Sequence, residues 1–181
     1  MTETINRSLP SLAGPKRGQD EKAQFGEKKI MLTVIPNGLD EIIHTYGSLD
    51  DPQFESRHIV LFQLPYPLVF SGQQVTRARC HNLAVDNFVQ AFKNVDAAGL
   101  RDQFREFDGI YNRRPIRGQP SHPSLHSWGV AMDMGAATHQ LGSAATWPPG
   151  ILEALGAAGF FWGGRFKARK DPMHFQLATG Y

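Results

Sequence analysis

Two histidines and two aspartates fall in two short, patterned stretches of this chain. The first stretch is Ser124-Leu125-His126-Ser127-Trp128-Gly129-Val130-Ala131-Met132-Asp133, and the second is Asp171-Pro172-Met173-His174-Phe175. Imidazole nitrogens and carboxylate oxygens are zinc donors. Three such groups hold a catalytic zinc, with the fourth corner left to water, and a fourth side chain is then free to move that water's proton. Taken singly, each of these residues reads more simply as a hydrogen-bonded surface group or a turn residue. Their occurrence together on two strand-like segments favours a metal site.

Elements at both stretches can position these groups. From Val130 to Met134 the residues alternate, with Val130, Met132 and Met134 on one face and Ala131 and Asp133 on the other. That is the period of a half-buried strand. From Met173 to Leu177 the pattern recurs, with Met173, Phe175 and Leu177 on one face and His174 and Gln176 on the other. Paired in one sheet, the two strands would aim Asp133 and His174 the same way. His126 sits just before the first strand, after a small-residue loop. Asp171 precedes the second, and Pro172 stiffens the backbone beside it.

Ser-x-His-x-x-Gly-x-Ala-x-Asp followed by Asp-x-x-His resembles the zinc D-alanyl-D-alanine carboxypeptidase and L-alanyl-D-glutamate peptidase family, which cleaves peptidoglycan in bacteria and their phages. The segments Gly109–Pro115, Gly159–Gly164 and Lys170–Phe175 are similar to that family's signatures, in its order. The similarity covers roughly the second half of the chain, and the first half is similar only in pattern. The resemblance implies His126, Asp133 and His174 as zinc ligands and Asp171 as the proton shuttle. It also implies an arginine that polarises the scissile carbonyl; Arg114 fits that place best, with Arg113 the neighbouring possibility. Ser124 is expected to bond locally and hold the loop, or to be an ordinary turn residue. Trp162, within a signature segment, is a candidate for contacting substrate or supporting the site. His122 is a weaker rival ligand, outside the motif and beside Pro123. Gln176 stands where some relatives carry an acidic residue.

Composition sets the outer bounds. The chain has 181 residues, 41% hydrophobic and 20% charged, with a net charge of +2. That suits one globular domain and is too weakly basic to argue nucleic-acid binding. The single cysteine, Cys80, excludes an internal disulfide and a cysteine zinc site; it reads as a small buried hydrophobe. No stretch suits a membrane span, and Met1–Gln24 lacks the apolar run of a signal peptide. The chain is therefore expected to be made in the cytoplasm, to act on the wall after release, and to be monomeric.

Residues 1–29, rich in Gly, Pro, Ser and charge, are expected to form a flexible arm, and residues 30–181 one zinc peptidase domain. Along that domain the patterns give a strand over Ile30–Ile35, a helix over Leu39–Tyr46 stopped by Gly47, and a strand over His58–Leu64 interrupted by Pro65 and Pro67, which points to an edge position or a strand end, with Leu68–Phe70 continuing it after a bend. Another strand follows over Val75–His81, whose Arg77, Arg79 and His81 read as solvated. Asn82 is placed as the N-cap of a helix with Ala84, Phe88, Ala91, Phe92 and Val95 on one stripe. Then come a strand over Phe104–Tyr111, a basic loop over Asn112–Ser124, a small-residue loop over His139–Thr146, a helix over Gly150–Ala158, and a strand starting at Phe160. Strands without regular crossovers argue for α+β. The resemblance implies the same: a small central antiparallel sheet flanked by helices, with zinc on its open face, as in the hedgehog signalling domain.

Three functions compete at this level. The leading one is a zinc peptidase cutting the peptidoglycan stem peptide, as a phage endolysin of endopeptidase type. The second is a bacterial carboxypeptidase removing terminal D-Ala. The third is a zinc-bearing module that binds wall or protein without cleaving, against which the presence of Asp171 argues.

Overall fold

Leu39–Tyr46 forms the first helix, α1, in a computed structural model that describes residues 32–181. The arm expected over residues 1–29 lies outside the described residues, as do Ile30 and Met31. Asp40 and Glu41 in the first turn of α1 and His44 in the last match the helix dipole. Gly47, at φ 90°, turns the chain out of it. A short helix, α2 (Phe54–His58), then leads into β1 (Ile59–Phe70) and β2 (Gln73–His81). The hairpin turn places Ser71 at φ 48° and Gly72 at φ 76°, the paired positive angles that suit the twist of a two-residue hairpin.

Several expectations are corrected here. Leu32–Ile35 forms no strand. The interruption expected at Pro65 and Pro67 is present in the pairing: the ladder to β2 breaks between Gln63 and Leu68 and resumes over Leu68–Phe70. The strand itself runs on through both prolines, which fall at outward positions between the buried Leu64, Tyr66 and Leu68. A two-stranded sheet has only edges, so their missing N–H groups disturb no central ladder. Asn82 does not cap the next helix. It opens a 3-10 turn, Asn82–Ala84, whose cap is His81, and α3 (Val85–Ala97) follows. The stripe Ala84, Phe88, Ala91, Phe92 and Val95 is buried as the period requires, and Asn94 Nδ2 donates to Ala154 O at 2.9 Å, tying α3 to α4 (Pro149–Ala157).

The second half builds the site. It contains β3 (Phe107–Gly109), β4 (Pro115–Ile116), β5 (Gln119–Pro123), β6 (Ala131–Met134), then α4, β7 (Phe161–Trp162) and β8 (His174–Gln176). β3 is shorter than the expected Phe104–Tyr111. The loop expected over Asn112–Ser124 contains the β4–β5 hairpin. The central sheet is antiparallel, in the order β3-β6-β8-β7, and the fold is α+β. β6 is interior to this sheet. Ala131 is therefore as fully buried as Met132 and Met134, rather than facing solvent as a half-buried strand would have it.

His81 is also a correction. It is fully buried, away from the exposed Arg77 and Arg79. Its Nε2 donates to Tyr46 O at 2.9 Å, its Nδ1 accepts from Leu83 N at 3.2 Å, and its ring stacks on His58 at 5.1 Å. Only the neutral ring satisfies both bonds. Burial pushes its pKa down from 6.5 to about 4, with His58 adding to this and the Tyr46 carbonyl opposing it. Below about pH 6.5 the unfolded chain binds a proton that the folded chain refuses, so this stability is complete above 6.5 and is lost as pH falls towards 4. The loss amounts to ~3 kcal/mol. Melting temperature followed over that window should fall less steeply for His81→Gln than for the wild type; parallel curves would show that His81 carries no such linkage.

Candidate metal centre

His126 is placed by a 3-10 turn, Leu125–Trp128. Ser124 caps it, its Oγ accepting from His126 N at 3.4 Å, and Ser124 N donates to Arg114 O at 2.9 Å. Gly129, at φ 70°, ends the turn. A Cβ there would lie 2.8 Å from His81 N, so no larger residue fits. The imidazole is 2% exposed, and its Nδ1 donates to Ile110 O at 2.7 Å. A carbonyl only accepts, so the proton sits on Nδ1 and the Nε2 lone pair faces inward.

His174 is set the same way by its own strand. Its Nε2 lies 3.0 Å from Gln176 Oε1, and Gln176 Nε2 donates to Ala178 O at 2.9 Å. That second bond fixes the amide, so its oxygen accepts the His174 Nε2 proton. The Nδ1 lone pair is left facing inward.

Asp133 is the cross-strand partner of His174. Its Oδ1 lies 2.9 Å from His174 Nδ1 and 3.2 Å from His126 Nε2, and the two imidazole nitrogens are 3.2 Å apart. Two lone pairs and a carboxylate oxygen converging like this repel one another unless a cation lies among them. Tetrahedral zinc ligands at 2.0–2.1 Å are themselves ~3.3 Å apart, so these donors have the spacing of a zinc face. The titration behaviour agrees. Burial would raise the Asp133 carboxyl, but the hydrogen bonds and positive charge that His126 and His174 would bring if protonated towards it outweigh this and hold it far below the usual range. Burial opposes charge on His174, and Asp133 outweighs it, pushing that imidazole up. Both shifts express the same demand for one positive charge. Both histidines also pass their second N–H to a neutral acceptor, the arrangement that orients zinc ligands. The residues fit the ion.

Asp171 lies beside this triad. Its N donates to Gly163 O at 3.0 Å, and its O accepts from His174 N at 3.1 Å. A Cβ on Gly163 would come within 2.5 Å of Asp171 O, so glycine is required for this approach. The next carbonyl, Pro172 O, accepts from both Trp147 Nε1 and Trp162 Nε1, each at 2.9 Å. Among the described residues, Asp171 Oδ1 is buried without a hydrogen-bond partner. Burial raises its pKa, against the lowering effect of His174, which moves it towards the basicity that a proton shuttle needs.

Residues 117–177 match the family model for D-alanyl-D-alanine carboxypeptidase. The match takes in about a third of the chain, including all three donors and Asp171. The resemblance to this family thus spans the metal centre. No curated protein and no solved structure gives a significant match.

Arg114 lies just outside the segment that matches the carboxypeptidase family. Its Nη2 is 3.8 Å from Asp133 Oδ2, and it lines the cleft over the triad. Arg113 points elsewhere, its guanidinium donating to Leu49 O. Trp162 is absent from the cleft lining; it holds Pro172 instead. His122 is exposed on β5, bonded to Ser121, and stands apart from the triad. Sequence reading missed two supports: Gln176, whose signal was its place two residues after His174 on the same strand face, and the Ile110 carbonyl, for which a backbone oxygen leaves no signal.

Proposed function

We propose that this protein is a zinc-dependent peptidase that hydrolyses the stem peptide of bacterial peptidoglycan, as a phage endolysin cutting the L-alanyl-D-glutamate bond. The observation that carries the catalytic part is the pairing of a converged His-His-Asp donor set with a buried, unpartnered carboxylate in one cleft. When bound, zinc supplies Lewis acidity to the scissile carbonyl and to an attacking water. Asp171 takes the proton of that water on its carboxylate and delivers it to the leaving amine. Arg114, within reach of Asp133 Oδ2, steadies the developing oxyanion from the rim. Gln176 and the Ile110 carbonyl keep the two imidazoles turned to one point. The place of action is the cell wall, reached after release from the cytoplasm.

A second reading, removal of terminal D-Ala, is favoured by the description of the matching family. Incubation with purified peptidoglycan separates the two. New N-terminal D-Glu is the expected product, while free D-Ala would replace the endopeptidase reading with the carboxypeptidase one. Chelation should abolish cleavage and added zinc restore it. Zinc-loaded protein that releases neither product would favour a non-catalytic wall-binding module.

A further inference from the structure

The cations around the cleft are not equivalent. Arg114 faces Asp133. Lys170 Nζ donates to Gly164 O at 3.0 Å, and Arg113 is tied to Leu49 O. Arg117 and Arg169 both line the cleft and are both exposed. Arg169 Nη2 donates to Arg117 O at 2.7 Å, which fastens the loop before Asp171 to the β4–β5 hairpin. That partner is a neutral carbonyl. Among the described residues, neither guanidinium has a carboxylate within ion-pair distance.

Their position gives this unspent charge a direction. The hollow over the triad runs into a second one that shares Ile116, Leu141, Phe166, Arg169, Asp171 and Tyr181 with it. The hollow over the triad carries Asp133, His174, Arg114 and Arg117. Asp171 and Arg169 line both hollows, and the outer one adds His122 and Lys167 beside the apolar walls of Ile116, Leu141 and Phe166. A guanidinium presents a planar fork of donors that matches a carboxylate with two parallel bonds. The clasp between Arg169 and the Arg117 carbonyl orders both segments in advance, which lowers the entropic cost of binding there.

We propose that Arg117 and Arg169 form a carboxylate-recognition subsite, so that the groove takes acidic peptides whose free carboxylate lies away from the scissile bond. The inference rests on the peptidase reading and deepens it. The carboxylate has two possible sources, the C-terminus of the peptide or a side branch.

The test uses zinc-loaded protein and three synthetic stem peptides: one with every carboxylate free, one amidated at the C-terminus, and one amidated on the side branch. One amidation should lower kcat/KM of the wild type roughly ten- to a hundredfold, the worth of a charge-assisted bond, mainly through KM. Whichever amidation does so names the source. In Arg117→Gln and Arg169→Gln, with zinc content retained, the preference for the free peptide should shrink towards unity. A merely structural clasp would weaken all three peptides equally and leave the preference intact, and that result overturns the subsite. Indifference of the wild type to both amidations overturns it as well. Failure to cleave any peptide would count against the peptidase reading alone. Calorimetric binding of the same peptides then decides the subsite: a preference that Arg169→Gln erases sustains it, and no preference ends it.

Discussion

Asp171→Asn should keep its zinc and its fold while turnover falls by roughly 10²–10⁴-fold, the usual worth of a positioned acid–base group. The amide is nearly isosteric and loses only charge and basicity. The backbone around Asp171 is held by Gly163 O, by His174 N and by the two indoles on Pro172 O, none of which the substitution touches. Its Oδ1 has no hydrogen-bond partner among the described residues to lose. KM should change little, because the loss is confined to the transition state. Asp133→Asn gives the contrast. Its Oδ1 sits within 3.2 Å of both imidazole nitrogens, and a neutral amide there is a poor ligand, so metal content and activity should fall together. Zinc content and wall-peptide cleavage measured on both variants decide the matter. Zinc lost from Asp171→Asn and kept by Asp133→Asn would reverse the two assignments. Full activity in Asp171→Asn would move the proton to another group.

The second large effect is expected at His174. Removing the imidazole takes away one of three donors and leaves Asp133 facing His126 alone. Most of the metal should be lost from His174→Ala in elemental analysis. The drop in affinity should exceed the 10–100-fold that follows loss of a hydrogen-bond partner behind a ligand. Gln176→Ala should fall within that smaller range, since it frees the ring to turn without removing its nitrogen. The stabilisation that zinc gives by binding only the folded chain should shrink in the same order, which a melting curve with and without zinc would record. A His174→Ala protein that retains full zinc would refute the ligand set.

What could be read from the sequence was whatever repeats with a period. α1 and the buried stripe of α3 follow from spacing alone. The two matching alternations marked β6 and β8 as strands and, were they paired, gave Asp133 and His174 a common direction; the antiparallel register that makes them partners is seen in the structure. What could not be read depended on distant contacts. His81 has the sequence surroundings of a solvated residue, yet Tyr46 O and Gly129 O, from segments far along the chain, draw it inside. Pro65 and Pro67 signalled the break in pairing between Gln63 and Leu68, but not that a single strand would run on through it from Ile59 to Phe70. The β4–β5 hairpin lies within a stretch of proline and arginine with no alternation to reveal it. Arg113 and Arg114 are adjacent and chemically identical. Only the bond from Arg113 to Leu49 O separates the one that turns away from the one that stays.

The paired indoles on Pro172 O bear on what holds the proton acceptor in place. That oxygen has both lone pairs engaged by Trp147 and Trp162, neither of which is a donor of the triad. The carboxylate of Asp171 is therefore registered against the aromatic core rather than against an ion. On the proposed mechanism the carboxylate that moves the proton is thus held by the protein's own core, and metal-free protein is expected to keep the Asp171 loop where zinc-loaded protein has it.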